Sequence, residues 1–140
     1  MLVNFKDCLI RDNKVYLKNK VAVLISGGFG AGWYSWNTNI SDCLTNPKLV
    51  ELVLEKEMLE DELGKLNWSL RDKSDVKRKL NLSIKNIEDV SNTLYGKNFY
   101  SGGAVGLYVE WVEEGSSFRV EEYDGNESVQ YRDTEGWLSF

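Results

Sequence analysis

The sequence predicts an α+β fold: a mostly antiparallel sheet with a charged helical segment inserted between its two halves, in one domain over residues 1–140. Three observations carry this. Both ends of the chain hold short strand-like runs, several alternating apolar and polar residues with the period of a half-buried strand. The segment from about 47 to 95 repeats its apolar residues at helical spacing instead. At 140 residues, 42% hydrophobic and 28% charged, the chain is large enough for one core without disulfides or metal.

Taken in order, Cys8-Leu9-Ile10, the polar turn Arg11-Asp12-Asn13-Lys14 and Val15-Tyr16-Leu17 make a hairpin. Lys18-Asn19-Lys20 turns again, and the unbroken apolar run Val21 to Ile25 suits a central strand. Asn46-Pro47 opens a helix, with Asn as N-cap and Pro as the first helical residue. Leu49, Leu52, Val53, Leu59 and Leu63 then fall on one face, and Gly64 ends or loosens the helix. Val76, Leu80, Ile84, Ile87, Val90 and Leu94 form a second stripe, with Gly96 as terminator. The weak helix formers from Asn81 to Asn86 mark a place for a break. Leu107, Val109 and Trp111 alternate with Tyr108, Glu110 and Val112 in a further strand. Glu114-Gly115 turns the chain, Phe118 to Tyr123 alternates once more, and Asp124-Gly125 is a hairpin signal before Ser128 to Arg132.

Charge and composition exclude several classes. A net charge of −5 and a pI near 4.8 give no general attraction to DNA, RNA or an anionic membrane. No run approaches a membrane span and Met1 leads into no signal peptide, so a cytoplasmic location is expected. Cys8 and Cys43 read as reduced thiols. There is no histidine, which removes the commonest general base and metal ligand and any Ser-His or Cys-His nucleophile system. No EF-hand or Walker A pattern is present. Ser26-Gly27-Gly28 matches the start of a pyrophosphatase loop, but Phe29-Gly30 stands where that loop needs an acid and a hydroxyl. The expectation is a protein that is not an enzyme, with no catalytic residues, no metal and no cofactor.

Candidate binding residues lie in two segments. The first is the glycine-rich loop that the Val21–Ile25 run empties into. Its backbone N–H groups at Ser26, Gly27, Gly28, Gly30 and Gly32 suit an anion, Trp33 and Trp36 suit a flat base, and Asn37 suits a polar edge. The alternative is a tight turn whose tryptophans fill the core. The second is the strand from Phe118, where Arg119, Glu121 and Tyr123 share one face and Glu122 lies between them. Its alternative is a cross-strand salt bridge on a solvent face. A second glycine-rich loop, Tyr100 to Gly106, reads best as a packing partner of the first. In the middle segment, two antiparallel helices would set the acidic block Glu55–Glu62 against the basic block Arg71–Lys79.

The string V-A-V-L-I-S-G-G-F-G-A-G-W-Y-S-W-N, with F-R-V-E-E-Y-D-G-N-E-S-V, resembles a family of small bacteriophage-encoded proteins. These share an early G-A-G-W-x-x-W-N stretch and a late E-Y-D-G-x-E stretch. The matching positions here are Gly30, Ala31, Gly32, Trp33, Trp36 and Asn37, then Glu122, Tyr123, Asp124, Gly125 and Glu127. The charged middle is not covered. The resemblance implies a phage protein acting in the bacterial host cytoplasm, and by analogy an anti-defence protein. Such a protein would be a homo-oligomer that sequesters a small nucleotide immune signal, of cyclic nucleotide or cyclic ADP-ribose type, without catalysis. Two alternatives stand beside it. One is an inhibitor directed at a bacterial defence or host protein, using the charged helices. The other is a small nucleotide-cleaving enzyme using Glu121, Glu122, Asp124 or Glu127.

Overall fold

A computed structural model of the chain describes residues 2–28, 30–66, 70–131 and 138–139. Strands β1 (Leu9–Arg11), β2 (Lys14–Leu17) and β3 (Lys20–Ser26) form the expected meander. Asp12 and Asn13 both take positive φ, 52° and 60°, the left-handed pair that a two-residue hairpin needs. Strand β4 (Leu107–Glu113) pairs antiparallel with β3, from Lys20↔Glu113 to Ser26↔Leu107. This sheet has the order β1-β2-β3-β4.

Helix α1 (Pro47–Lys65) starts where the sequence places it. The Asn46 side chain accepts the N–H groups of Lys48 at 3.0 Å and Leu49 at 3.2 Å, and Pro47 sits in the first turn. Gly64 is the penultimate helical residue. Helix α2 (Leu70–Tyr95) runs unbroken through Asn81–Asn86, against the expectation of a break. Ile84 and Ile87 pack into the core there, and burial outweighs propensity differences of about a few tenths of a kcal/mol per residue. Among the described residues the helical ion pairs run along each helix rather than between the two: Lys48–Glu51, Lys56–Glu60 and Lys65–Asp61 in α1, Arg78–Asp75 and Lys85–Asp89 in α2.

The single sheet expected from the sequence is two sheets. Strands β5 (Ser117–Tyr123), β6 (Asn126–Tyr131) and β7 (Leu138–Ser139) make the second, antiparallel in the order β6-β5-β7. The Glu114-Gly115 turn, with Gly115 at φ 86°, carries the chain from one sheet to the other. Asp124-Gly125 is the hairpin turn the sequence signals, at φ 50° and 85°. Phe29, the Arg71 side chain and Arg132, the end of the last expected strand, lie outside the described residues.

Three layers result. Ala22 and Leu24 of β3, with Leu107 and Val109 of β4, meet Leu49, Val53 and Ile87 of the helices. On the other side Val23, Ile25 and Val112 pack against Phe118, Val120 and Val129 of the second sheet. With both faces of β3 covered, its apolar run has no need to alternate. Helix α1 also closes the outer edge of β4. Lys56, almost fully buried, donates to the Leu107 carbonyl at 2.9 Å, and the Glu57 carboxyl lies beside the Val109 backbone. Charged side chains placed this way block pairing with a further strand. No helix among the described residues is long and apolar enough to cross a membrane.

Candidate functional site

The two sequence motifs, about ninety positions apart in the chain, are one piece of structure. The turn of the β5–β6 hairpin lies against the glycine loop, and the Gly30 N–H donates to the Asp124 carbonyl. A side chain at Gly125 would overlap the backbone of Ala31, so this approach requires glycine.

Glu127 locks the contact. It sits on β6, 2% exposed, and its carboxylate is the acceptor at the centre of the loop. The Ser26 N–H donates to it at 2.7 Å, the Trp33 N–H at 3.1 Å, and the Ser35 N–H and hydroxyl at 2.7 and 2.5 Å. Of the amides expected to hold an anion only Ser26 does so, joined by Trp33 and Ser35, and the carboxylate they hold belongs to the chain itself, while Gly27 and Gly30 donate to backbone carbonyls. A buried carboxylate is tolerated only with such a full set of donors.

Trp33 is in the core, not on a pocket wall. Its ring is fully buried, its Nε1 donates to the Cys43 carbonyl at 2.9 Å, and it meets Phe99 edge-on at 5.1 Å. Burial pushes the neighbouring Cys43 thiol up to about 12, with Glu127 and Asp42 adding to the effect. Asn37 is buried too and ties the two glycine loops together. Its side chain donates to the carbonyls of Trp33 (2.7 Å) and Tyr100 (2.9 Å) and accepts the Tyr100 N–H at 2.9 Å. The loops touch backbone to backbone, because a side chain at Gly103 would overlap the Gly32 carbonyl.

What this core supports is an exposed ledge. Trp36 lies on Gly32, where a Cβ would come 2.7 Å from its ring, and Tyr100 lies on Gly102 in the same way. The two rings are 4.9 Å apart and tilted by 40°. They are 39% and 41% exposed. Glu122, directly across the ladder from Glu127, accepts the Trp36 indole N–H at 2.5 Å.

The structure thus brings together Ser26, Gly27, Gly28, Gly30, Gly32, Trp33, Trp36, Asn37 and Glu122. Gly27 donates to the Gly106 carbonyl at 2.8 Å, and a side chain on Gly106 would come 2.8 Å from the Gly28 nitrogen. Arg119, Glu121 and Tyr123 alternate with Glu122 and lie on the other, outer face of β5. There Arg119 bonds Glu121 at 2.6 and 3.0 Å, a solvent-face salt bridge along the strand where the sequence reading weighed one across to a neighbouring strand. Glu127 as anchor and Tyr100 as ledge partner were not among the expected binding residues. The signal for Glu127 was its place on the same strand face as Val129, a carboxylate where the period calls for an apolar residue.

A second polar centre lies at the start of α1. Asp42 accepts from the side chains of Asn13, Asn46 (2.9 Å) and Tyr95 (2.5 Å). Burial raises its pKa, but these three donors outweigh burial and hold it below the usual carboxylate range. Asp42, Asn13 and Tyr34 line an open cleft of about 360 Å³. A wider groove of about 830 Å³ runs between Leu17–Lys20 and Glu113–Glu114. Neither is lined by Trp33, Trp36, Arg119 or the loop glycines. Among the described residues no cluster of three or more potential ligands could hold a metal. Comparison of the chain with protein-family models, with curated proteins and with solved structures finds no match.

Proposed function

We propose that this chain is a non-catalytic binding protein directed at a protein partner, which it engages through the Trp36–Tyr100–Glu122 ledge. If the bacteriophage resemblance holds, the partner is a bacterial defence or host protein. The observation that carries this reading is the commitment of the loop interior to Glu127. The amides of Ser26, Trp33 and Ser35 are spent on that carboxylate, and Arg119 lies on the outer face of its strand with Glu121. A nucleotide at the loop would find the amides of Ser26, Trp33 and Ser35 taken by Glu127 and those of Gly27 and Gly30 taken by backbone carbonyls, and Glu122 would repel it. The ledge has the composition of a protein-binding hot spot instead: Trp and Tyr held rigidly over packed backbone with a charged rim.

The test is a paired capture and ligand screen. Immobilised wild type, Trp36→Ala and Arg119→Ala proteins are exposed to bacterial lysate. In parallel, cyclic dinucleotides and cyclic ADP-ribose isomers are tested for thermal stabilisation. The expected result is one protein retained by wild type and Arg119→Ala, lost with Trp36→Ala, and no nucleotide shift. A melting shift of several degrees with the nucleotide recovered intact would replace this reading with signal sequestration.

A further inference from the structure

The two edges of the first sheet are finished differently. The β4 edge is covered by α1, with Lys56 and Glu57 set against it. The β1 edge carries no such guard among the described residues. Arg11↔Lys14 flanks the two-residue turn Asp12-Asn13, so this pair exchanges hydrogen bonds and the next, Ile10↔Val15, does not. The Ile10 N–H and carbonyl therefore point away from β2, and no described residue bonds either one. Leu9 and Ile10 are 74% and 58% exposed. Arg11, the one charge in the strand, is turned back over the sheet, 4.3 Å from the centre of the Tyr16 ring and 2.9 Å from Glu114. An edge with free backbone groups, apolar side chains and its charge engaged elsewhere is open to another strand.

We propose that β1 pairs antiparallel with the β1 of a second copy of this chain, Ile10 against Ile10, joining two four-stranded sheets into one. The strand is its own complement. A two-fold axis at Ile10 closes both of its free hydrogen bonds and sets Arg11 of each copy opposite Leu9 of the other. No like charges meet within the pairing. The two Ile10 side chains meet on the face that carries Val15, and the Arg11 stems cover the exposed Leu9 side chains. A second copy supplies this match by symmetry alone. Three paired residues a side fall well below the roughly 20–30 of a standard interface, so the dimer is weak, with Kd on the order of 100 µM.

Sedimentation from about 10 µM to 1 mM, at about 0.15 M salt, measures the association. Amide exchange at Ile10, followed by ¹⁵N NMR, locates it. The variants are Ile10→Pro and Ile10→Lys. Proline removes the outward N–H without touching the ladder to β2, and lysine sets two ammonium groups against each other across the axis. The mass of wild type should rise from one chain towards two across this range, while both variants stay at one. At the top of the range the Ile10 amide should exchange about fivefold more slowly than in dilute protein, the factor by which monomer is depleted. Circular dichroism checks that each variant folds; should proline disturb the hairpin, lysine decides. A wild type of one-chain mass throughout overturns the proposal and leaves the edge to an extended segment of another protein. A dimer that persists in Ile10→Lys, or that forms with Ile10 exchange unchanged, overturns it too, because the contact then lies elsewhere.

Discussion

Glu122 and Glu127 face each other directly across the β5–β6 ladder, two carboxylates on the inner side of one hairpin. Like charges so placed repel on a bare sheet. Here each has its own donors, the Trp36 indole for one and the backbone of Ser26, Trp33 and Ser35 for the other. The hairpin thus grips the glycine loop with two prongs. The inner one holds the fold together, and the outer one sets a surface ring.

Removing the inner prong strands its donors. Glu127→Ala leaves the amides of Ser26, Trp33 and Ser35 without their acceptor, and should cost about 3–5 kcal/mol. Urea denaturation followed by fluorescence checks this; a loss below about 1 kcal/mol contradicts the lock.

Two glycines give opposite outcomes with alanine. Gly125 has φ 85° and its Cβ would overlap Ala31, so Gly125→Ala should destabilise by about 2–4 kcal/mol. Gly64 lies inside α1 with open space around it, so Gly64→Ala should stabilise by about 0.5–1 kcal/mol. The two urea midpoints should move in opposite directions.

Glu57 makes stability depend on pH near neutrality. Burial against β4 raises its pKa from 4.5 to about 7. A carboxyl whose folded pKa is raised contributes stability that is full below its unfolded value and lost as pH rises through the folded one. Glu57→Gln should therefore be more stable than wild type at pH 8, by about 1–2 kcal/mol once its partial solvent exposure is allowed for. The difference should shrink towards pH 5. Parallel melting curves at both pH values test the sign.

Asp42 runs the other way. Its pKa is lowered, so its contribution is present above the unfolded value and fades as pH falls through the folded one. Tyr95→Phe removes one of its donors and should cost about 1–2 kcal/mol at pH 7. At strongly acid pH, where Asp42 is protonated in both proteins, the gap should narrow, as pH-dependent melting would show.

The two thiols should differ in reactivity. Cys43 is fully buried and pushed up to about 12, while Cys8 is only part-buried. Thiolates, not thiols, react. Titration with a disulfide reagent at pH 8 should label Cys8 first and reach Cys43 only when urea is added.

The sequence made some of this legible and hid the rest for physical reasons. Local signals read well: the Asn46-Pro47 cap, the Asp124-Gly125 turn and the period-two strands all depend on neighbouring residues. The division into two sheets did not, since Glu114-Gly115 is compatible with a hairpin or a crossing between layers, and only long-range packing of Phe118 on Val23 and Ile25 decides. Glycine-loop chemistry misled in an instructive way. The amides of Ser26, Trp33 and Ser35 hold a carboxylate while Gly27 and Gly30 bond backbone carbonyls, and local sequence cannot say which amides meet a charge or whether it arrives from outside or from Glu127. Trp33 and Trp36, three positions apart, part ways for a similar reason. One turns under the loop against Phe99 and the other lies over Gly32.

The bond from the Ser26 amide to Glu127 spans 101 residues, and it orders events during synthesis. The glycine loop leaves the ribosome 101 residues ahead of its charge partner. Until then its amides have only water to bond, while the helices can already settle on β3. A nascent chain stopped before Asn126 should thus carry a helical layer and an unset loop, with Trp36 free to turn. On the proposed reading, binding competence is acquired only once Glu127 has been made, and a product stopped before it should not compete for the partner.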